Sequence, residues 1–361
     1  MNSSVRQTGS VTSKSNFPET LPAELYHCTD VFDAERESLF KSAWWLIGPE
    51  VDIARPGSAL ATTVAGWSVI AVRDDQGDVR GFHNVCRHRA GPLLKEGAQV
   101  CRALVCRYHG WRYDLTGALR SAPGLTDGDG VSYADMGLFP IQVDIWNGMV
   151  FVCMDDAGTT LLEWLGDVTA IAERFPTVLS MTFQTDIMRT ARANWKTYAD
   201  NSCEGYHVGM VHRDLGQAID GDGVDIRAYP RGAFVGFDVT YAPTLADPSR
   251  AGQGFWIYKP PGLLLHFSEF AFNAETVSPV NARRLDIKRW FWVDEAAARA
   301  RGVNPETIPT HSAEVVDEDI GICEAVQQNL EAGVYSTGKL SPENEPGTVF
   351  FQQWVRDNLR T

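Results

Sequence analysis

Two short segments of this 361-residue chain each pair one cysteine with one histidine. The segments read Cys86-Arg-His88 and Cys106-Arg-Tyr-His109. Gly91-Pro92 follows the first pair and Gly110-Trp111 follows the second, so both pairs are expected in loops. Cysteine and histidine are metal ligands, and their spacing here predicts one metal centre held between two loops. That centre restricts the fold more than any other feature of the sequence.

The order of the ligands within each pair indicates which metal is bound. A Rieske [2Fe–2S] centre takes two thiolates on one iron and two imidazoles on the other. Cys86 and Cys106 match the first iron, and His88 and His109 match the second. Zinc also accepts two cysteines and two histidines, but its fingers usually separate the two residue types into different pairs. The mixed pairs therefore favour the iron–sulfur cluster over structural zinc. Either metal is favoured over the third interpretation, in which the four side chains bind no metal.

The charge of the chain is unevenly distributed. The net charge is −14, which argues against general nucleic-acid binding. Residues 80–120, around the two loops, instead contain eight basic and two acidic side chains. This basic window is either a solvated surface or a docking site for an acidic electron donor, since complementary charge speeds encounter. Arg87 and Arg107 are the candidate docking residues.

Length and composition are those of one or two ordinary globular domains. No run approaches the ~18 apolar residues that a membrane helix needs. Residues 1–20 are rich in Ser, Thr and Asn and are predicted to be a flexible tail and not a signal peptide. The seven scattered cysteines do not form a disulfide framework. We therefore expect a cytoplasmic protein with reduced thiols and no membrane or nucleic-acid partner.

The hydrophobic pattern changes along the chain. Residues 22–46 are predicted to be helical because apolar side chains recur at helical spacing. Residues 45–155 show short alternating runs separated by turns, which predicts a small antiparallel β domain with the two cysteine–histidine loops at one end. The remaining predicted elements are helices at 160–175, 195–206 and 312–332 and strands at 232–241, 254–258, 263–267, 270–275 and 284–293.

A second candidate metal site lies downstream. Its motif is Glu204-x2-His207-x4-His212. Two histidines with one carboxylate form the facial triad of non-haem Fe(II) oxygenases, which leaves coordination positions free for O2 and substrate. His207 and His212 would lie about 140° apart on an ideal helix with 3.6 residues per turn, so they suit a helix end that opens into a loop.

Helical phase selects the third ligand. Five apolar residues form one stripe on the last predicted long helix: Val315, Ile322, Cys323, Val326 and Leu330. Asp319 lies in the middle of that stripe, whereas Asp317, Glu318 and Glu324 fall off it. A carboxylate on a core face is costly unless it is paired or binds metal. Asp319 is therefore the preferred ligand, and the alternative is an aspartate that hydrogen-bonds a neighbouring polar group.

Together the two motifs resemble the Rieske non-haem iron oxygenases, specifically the large α subunit of the terminal oxygenase. The stretch Asn194-Trp-Lys196, Asp200-Asn201 and Glu204 to His212 is similar to the iron-binding stretch of that family. The resemblance implies an α+β fold, with an antiparallel Rieske domain before a helix-grip domain, in which an antiparallel sheet wraps a long helix. It also implies a [2Fe–2S] cluster and a mononuclear Fe(II) held by His207, His212 and Asp319. The expected limits are a tail at 1–20, an N-terminal helix packing on the catalytic domain at 21–44, the Rieske domain at 45–157 and the catalytic domain at 158–361.

The resemblance further implies how the two centres communicate. In this family the subunits form a head-to-tail homotrimer, and an acidic residue at the position of Glu204 bridges the ligand matching His109 to the ligand matching His207 of the next subunit. Asp200 and Asn201 are expected beside that bridge. Electrons come from NAD(P)H through a ferredoxin or flavin reductase. The chain has no GxGxxG fingerprint, so the reductase is expected to be a separate protein.

The Glu-Gly-Tyr-His sequence around Glu204 resembles the branch that acts on betaines, carnitine and other N-methyl compounds. This implies O2-dependent hydroxylation that leads to N- or O-dealkylation. Two alternatives remain: dihydroxylation of an aromatic ring, and a Rieske electron carrier without catalysis. Trp256, Tyr258 and Phe267 are candidate pocket residues, because aromatic side chains can line a ring pocket or surround a quaternary ammonium ion.

Overall fold

The computed structural model describes residues 17–128, 130, 132–213, 215, 219–229, 233–241 and 253–359. Residues 1–16 of the predicted tail lie outside this part. Within it the strands form two seven-stranded sheets and one three-stranded sheet, and every strand pair is antiparallel. The α+β class expected from the sequence is confirmed. In this same part of the chain, no helix combines the length and the apolar character needed to cross a bilayer.

The N-terminal segment is less helical than predicted. Helix α1 spans Thr29–Glu35 and continues as one π-helical turn over Arg36–Phe40. The prediction of helix up to residue 46 was wrong, because strand β1 already begins at Trp45 and runs to Pro49. All five residues of β1 are buried. A strand buried on both faces is apolar throughout, and periodicity alone does not separate it from a buried helix.

The first seven-stranded sheet has the order β1-β10-β9-β4-β3-β2-β5. Its further strands are β2 (Ser58–Val64), β3 (Trp67–Arg73), β4 (Val79–His83), β5 (Gly97–Val100), β9 (Pro140–Trp146) and β10 (Met149–Cys153). A small sheet projects from it and consists of β6 (Leu104–Val105), β7 (Arg112–Tyr113) and β8 (Leu119–Ser121). The connection from β4 to β5 contains Cys86 and His88, and the hairpin from β6 to β7 contains Cys106 and His109.

The predicted linking helix at 160–175 is two short helices, α2 (Leu161–Leu165) and α3 (Val168–Ala172). Thr160 and Glu163 form a reciprocal capping box at the start of α2. Gly166 ends α2 with a φ of 54°, which a glycine adopts without the cost of a Cβ. The periodic apolar pattern therefore continues across the interruption between the two helices.

The second seven-stranded sheet has the order β11-β17-β16-β15-β14-β13-β12. Its strands are β11 (Thr182–Ala191), β12 (Ile219–Tyr229), β13 (Phe234–Tyr241), β14 (Gln253–Lys259), β15 (Leu263–Phe267), β16 (Ala271–Asn281) and β17 (Arg284–Val293). The accompanying helices are α4 (Trp195–Ser202), α5 (Val208–Val211), α6 (Glu295–Ala300), α7 (Ile308–Glu331) and α8 (Pro346–Asn358). The sequence did not predict β11, β12, α5, α6 or α8.

The long helix α7 packs with a face rotated from the predicted one. Its buried residues are Ala313, Val316, Asp319, Cys323, Gln327 and Leu330. Placing Ile322 and Val326 on the buried stripe was wrong, since they are 40% and 41% exposed. Gln327 is buried instead because it accepts a hydrogen bond from the Asn194 N–H at 3.0 Å and donates one to the Tyr26 carbonyl at 3.0 Å.

The two large sheets contact each other directly. The Thr276 hydroxyl on β16 donates to the Leu46 carbonyl on β1 at 2.7 Å. The Ala65 N–H beside β2 donates to the Ser278 hydroxyl at 2.9 Å. A single buried apolar cluster includes residues from both sheets and from α7 and α8.

Candidate functional site

Matching backbone turns hold the two cysteines. In the first loop the Cys86 N–H donates to the Gly91 carbonyl at 2.9 Å, and in the second the Cys106 N–H donates to the Trp111 carbonyl at 2.9 Å. A Cβ at Gly91 would lie 2.9 Å from the sulfur of Cys106, closer than side chains tolerate. Gly91 therefore allows the two loops to approach each other.

The four side chains separate by type. Cys86 and Cys106 are each 2% exposed, whereas His88 and His109 are exposed at the loop tips. The two imidazole rings lie 4.6 Å apart between centroids, and His88 stacks on Trp111 at 5.0 Å. Two buried sulfurs beside two outward imidazoles fit a Rieske cluster, in which Cys86 and Cys106 would hold one iron and His88 and His109 would hold the other.

Without a metal, the environment of Cys86 favours the neutral thiol over the thiolate. Burial raises the pKa of Cys86, and the neighbouring Cys106 adds to the increase. The Tyr113 hydroxyl lies 3.4 Å from the Cys86 sulfur and can donate to it. Hydrogen bonds to cluster sulfurs tune the reduction potential, so Tyr113 is a functional neighbour that the sequence analysis missed.

The predicted mononuclear site is assembled from three elements. His207 precedes α5, His212 follows it, and Asp319 lies on α7. One oxygen of Asp319, Oδ1, lies 2.9 Å from Nε2 of His212 and 3.5 Å from Nε2 of His207. One ligand atom from each of the three residues falls within 4.8 Å of the others. This donor set fits one iron ion in a two-histidine, one-carboxylate triad.

Each of the three predicted ligands is held by a further polar side chain. Glu204 Oε1 lies 2.5 Å from Nδ1 of His207, and Glu318 Oε2 lies 2.7 Å from Nδ1 of His212. The Asn201 amide donates to Oδ1 of Asp319 at 2.6 Å. A carboxylate on Nδ1 favours the tautomer in which Nε2 is free to bind metal. Glu318, which falls off the apolar stripe predicted from the sequence, thus orients one of the ligands.

The electrostatics of the three-residue site favour a bound cation. Burial alone would raise the pKa of Asp319, but hydrogen bonds from His207 and His212 outweigh it and lower that pKa to about 2. Burial would lower the pKa of His207, but hydrogen bonds from Asp319 and Glu204 raise it to about 9. A cation among these groups satisfies the carboxylates that otherwise draw protons onto the imidazoles.

A cavity of about 470 Å³ opens beside the triad. One wall is the second large sheet and includes Phe237, Trp256 and Phe267, and another is helix α7 with Ser312 and Val315. Two predicted pocket residues, Trp256 and Phe267, line it. The volume is that of a small-molecule site.

Two expectations about site residues need correction. Tyr258 does not line the cavity, because its hydroxyl donates to the Pro261 carbonyl at 2.7 Å and its ring packs edge-on against Phe351. Asp200 does not touch the triad. It accepts hydrogen bonds from the Tyr26 hydroxyl at 2.6 Å and the Gln352 amide at 2.9 Å, which ties helices α4 and α8 to the N-terminal segment.

The predicted donor-docking arginines differ in their surroundings. The Arg87 guanidinium lies over the Phe139 ring at 4.3 Å and donates to the Asp135 carbonyl at 3.0 Å. Arg107 is exposed at the loop tip beside the exposed Tyr108. Arg107 is therefore open to a partner, whereas Arg87 also supports the local structure.

The sequence analysis did not identify the polar side chains of the cavity wall. His266, Asn273, Arg289 and Ser312 all line it. They come from β15, β16, β17 and α7, and no linear motif joins them. Pairing between strands brings them together, so only the register of the sheet could identify them.

Two iron-binding donor sets, one for a Rieske cluster and one for a mononuclear centre beside a cavity, define a two-centre iron oxygenase. Comparison with known proteins agrees. Residues 43–135 match the Rieske [2Fe-2S] domain, and residues 179–361 match the ring hydroxylating alpha subunit (catalytic domain). The chain belongs to the Rieske oxygenase α-subunit family, and it is an oxidoreductase that carries a Rieske [2Fe–2S] cluster and mononuclear iron.

Relatives cover nearly the whole chain. The carnitine monooxygenase oxygenase subunit of Acinetobacter pittii is 26% identical over 93% of this chain and 94% of its own length. The chloroplastic choline monooxygenase of Spinacia oleracea is 25% identical over 94% of this chain and 78% of its own length. These carnitine and choline relatives confirm the predicted membership in the branch that acts on betaines, carnitine and other N-methyl compounds.

Solved structures share the fold. The quaternary ammonium Rieske monooxygenase CntA in complex with L-carnitine superposes with a TM-score of 0.83 at 20% identity, covering 95% of this chain and 96% of that one. Naphthalene 1,2-dioxygenase with bound indole gives 0.74 at 20% identity, covering 94% and 92%. Both superpositions therefore extend over the two large sheets of this chain.

Proposed function

We propose that this oxygenase hydroxylates a quaternary or N-methylated amine at a carbon attached to nitrogen. The observation that carries the proposal is the triad of His207, His212 and Asp319 opening onto a cavity with aromatic side chains on one wall. When bound, the [2Fe–2S] cluster supplies single electrons and the mononuclear iron activates O2. The relatives named for carnitine and choline support this substrate class.

Aromatic faces give the cavity its affinity for a methylated cation. Trp256 and Phe237 are neighbours on the sheet, with ring centroids 6.3 Å apart, and both line the cavity. A quaternary ammonium ion over such faces is attracted by the ring quadrupoles and needs no hydrogen bonds. The charged cavity residues Glu269 and Arg301 pair with each other, which neutralises that part of the cavity wall.

The chain's own groups fix the geometry of the reaction. Glu204, Glu318 and Asn201 hold the three ligand side chains, so each presents one atom to the metal without reorganisation. The aromatic part of the cavity wall disfavours water beside the carbon to be hydroxylated. Hydroxylation next to nitrogen gives a product that collapses to an aldehyde and an amine.

The proposal includes a second copy of the chain. Within the described part of one chain, Glu204 hydrogen-bonds Tyr206 and His207 but makes no contact with His109. A second cavity of about 480 Å³ is also lined by Glu204 and His207, and its lining includes the exposed Ile322 and Val326. Large exposed apolar side chains mark interaction surfaces.

The loop tip that carries the exposed His88 and His109 is the matching surface in this proposal. In a head-to-tail trimer, His109 of one chain would meet Glu204 of the next. A related CntA structure with a TM-score of 0.82 is described in terms of inter-subunit electron transfer. A separate reductase or ferredoxin would dock on the basic surface that includes Arg107.

A screen of N-methylated amines against arenes tests the substrate class. The reconstituted holoenzyme is supplied with a reductase and O2, and aldehyde and amine release is scored against cis-diol formation. We expect aldehyde release matched to O2 uptake, and its loss in His207→Ala with the visible spectrum of the cluster retained. Diol formation from arenes without amine cleavage would refute the proposal in favour of ring dihydroxylation. Normal reduction and reoxidation of the cluster with no product from any substrate would indicate an electron carrier.

A further inference from the structure

The cavity beside the triad has a buried end and an exposed end. At the triad, His212 and Asp319 are only 2% and 9% exposed. In the described part of the chain, three lining residues are exposed instead: Gln253, Glu269 and His311. A substrate that arrives from solvent therefore meets this exposed end before it reaches the triad.

An ion pair lies at the exposed end. Gln253 and Glu269 each lie two residues beyond the register pair of Phe255 and Phe267, so they are neighbours at one edge of the sheet. The Glu269 carboxylate pairs with the Arg301 guanidinium, and both residues line the cavity. The two side chains are 42% and 36% exposed, so water screens their attraction. The pair is therefore weak enough to be exchanged for another partner.

The ion pair joins two segments that the backbone already holds together. Glu269 lies in the turn between β15 and β16, and Arg301 directly follows helix α6. At the start of α6, the Asp294 N–H donates to the Phe270 carbonyl in that turn at 2.9 Å. Separation of the two charged side chains therefore leaves the backbone connection in place.

Glu269 is the carboxylate that an entering cation meets first. Within the described lining of this cavity, the acidic residues are Glu204, Glu269 and Asp319. Asp319 belongs to the triad and Glu204 holds His207, so both are engaged at the buried end. The net charge of −14 attracts cations to the protein as a whole. A cation at the exposed end has to compete with Arg301 for Glu269.

We propose that the Glu269–Arg301 pair is a charge-selective gate, in which an entering ammonium ion displaces Arg301 from Glu269 and then passes to the aromatic wall. A neutral molecule cannot replace Arg301 in the ion pair, so Glu269 does not speed its entry. Glu269 thus determines specificity through the rate of entry and not through the geometry at the metal. This inference rests on the proposed function, because the gate needs a cationic substrate.

The test compares two probes of similar shape, choline and its uncharged analogue 3,3-dimethylbutan-1-ol. Association rate constants are measured on the metal-loaded enzyme by stopped-flow tryptophan fluorescence at low and high salt, since Trp256 lines the cavity. Glu269→Gln and Arg301→Gln each remove one charge of the pair. Arg299→Gln is the matched control, because Arg299 lies on the same helix and pairs with Glu295, and neither residue lines the cavity.

Glu269→Gln should slow choline association about fivefold at low salt, and Arg301→Gln should speed it by a similar factor. A unit charge about 4 Å away in water changes an interaction by roughly that factor. High salt should reduce both changes. The rates for the neutral analogue, and those of Arg299→Gln with either probe, should stay within twofold of wild type.

Opposite effects of the two substitutions separate a gate from a structural ion pair. Slower choline association in both variants, unchanged rates in both, or equal changes for the neutral analogue would overturn the inference and leave the proposed function intact. Failure of wild type to bind choline would also overturn it. Binding of arenes in that case would reject the proposed function as well.

Discussion

Replacing Asn201 by Ala should weaken metal binding at a site that Asn201 itself does not ligate. The Asn201 amide donates to Oδ1 of Asp319 at 2.6 Å. The same oxygen lies 2.9 Å from Nε2 of His212, so this hydrogen bond fixes the carboxylate orientation that faces the metal. Asp319 is only 9% exposed, so water screens the interaction little.

The size of the effect follows from the charge and burial of the acceptor. Hydrogen bonds to charged groups contribute about 1.5–3 kcal/mol. A loss of that size lowers the affinity for a divalent metal by about 10–100-fold, since 1.4 kcal/mol corresponds to a factor of ten. The same range is typical for loss of outer-shell partners in metalloproteins. The Rieske cluster, held by other loops, should be unaffected.

The assay is competitive titration of Fe(II) or Co(II) against a chelator, after selective removal of the mononuclear metal, with cluster absorbance as the internal reference. Ser202→Ala is the matched control, because Ser202 follows Asn201 on the same helix and lines the cavity but donates to the Tyr198 carbonyl. An affinity of Asn201→Ala within twofold of wild type would refute the reasoning. Equal losses in both variants would assign the effect to helix α4 and not to the hydrogen bond.

Three further predictions concern charge. Glu204→Gln should retain both metals yet slow turnover by about 10–100-fold, since His207 loses its carboxylate partner. Wild-type turnover at full iron content would remove that role. Arg107→Glu should raise the KM for the electron donor several-fold at low salt and much less at high salt. A salt-independent change, or the same change in Arg283→Glu in the turn between β16 and β17, would contradict docking at Arg107. Burial raises the pKa of Asp200 to about 7, above its ordinary ~3.9, so ionisation destabilises the folded chain as pH rises between these values. Asp200→Asn should therefore gain up to about 4 kcal/mol of unfolding free energy relative to wild type from pH 4 to pH 7, and calorimetry showing a constant difference would disprove it.

The sequence alone was enough for the family, the cofactors and the order of the two β regions. Both metal sites could be recognised from short motifs. A mixed cysteine–histidine pair or an Hx4H motif is visible within a few residues and does not require knowledge of the fold. Asp319 could also be selected from a run of acids, because helical phase places it on the buried face of α7. The same argument wrongly placed Ile322 and Val326 on the buried face. The sequence does not show which neighbouring elements cover each face of a helix.

The tertiary structure decided everything that depends on contacts between distant segments. Glu318 holds His212 and Asn201 holds Asp319 across more than a hundred residues. Asn273 reaches the cavity wall only through the register of four strands, and Tyr258 leaves it although it is aromatic and near in sequence. A linear pattern records residue type and spacing, whereas hydrogen-bond partners and cavity walls are set by strand pairing and helix rotation. The sequence therefore identified the two metal centres, and the fold determined what surrounds them.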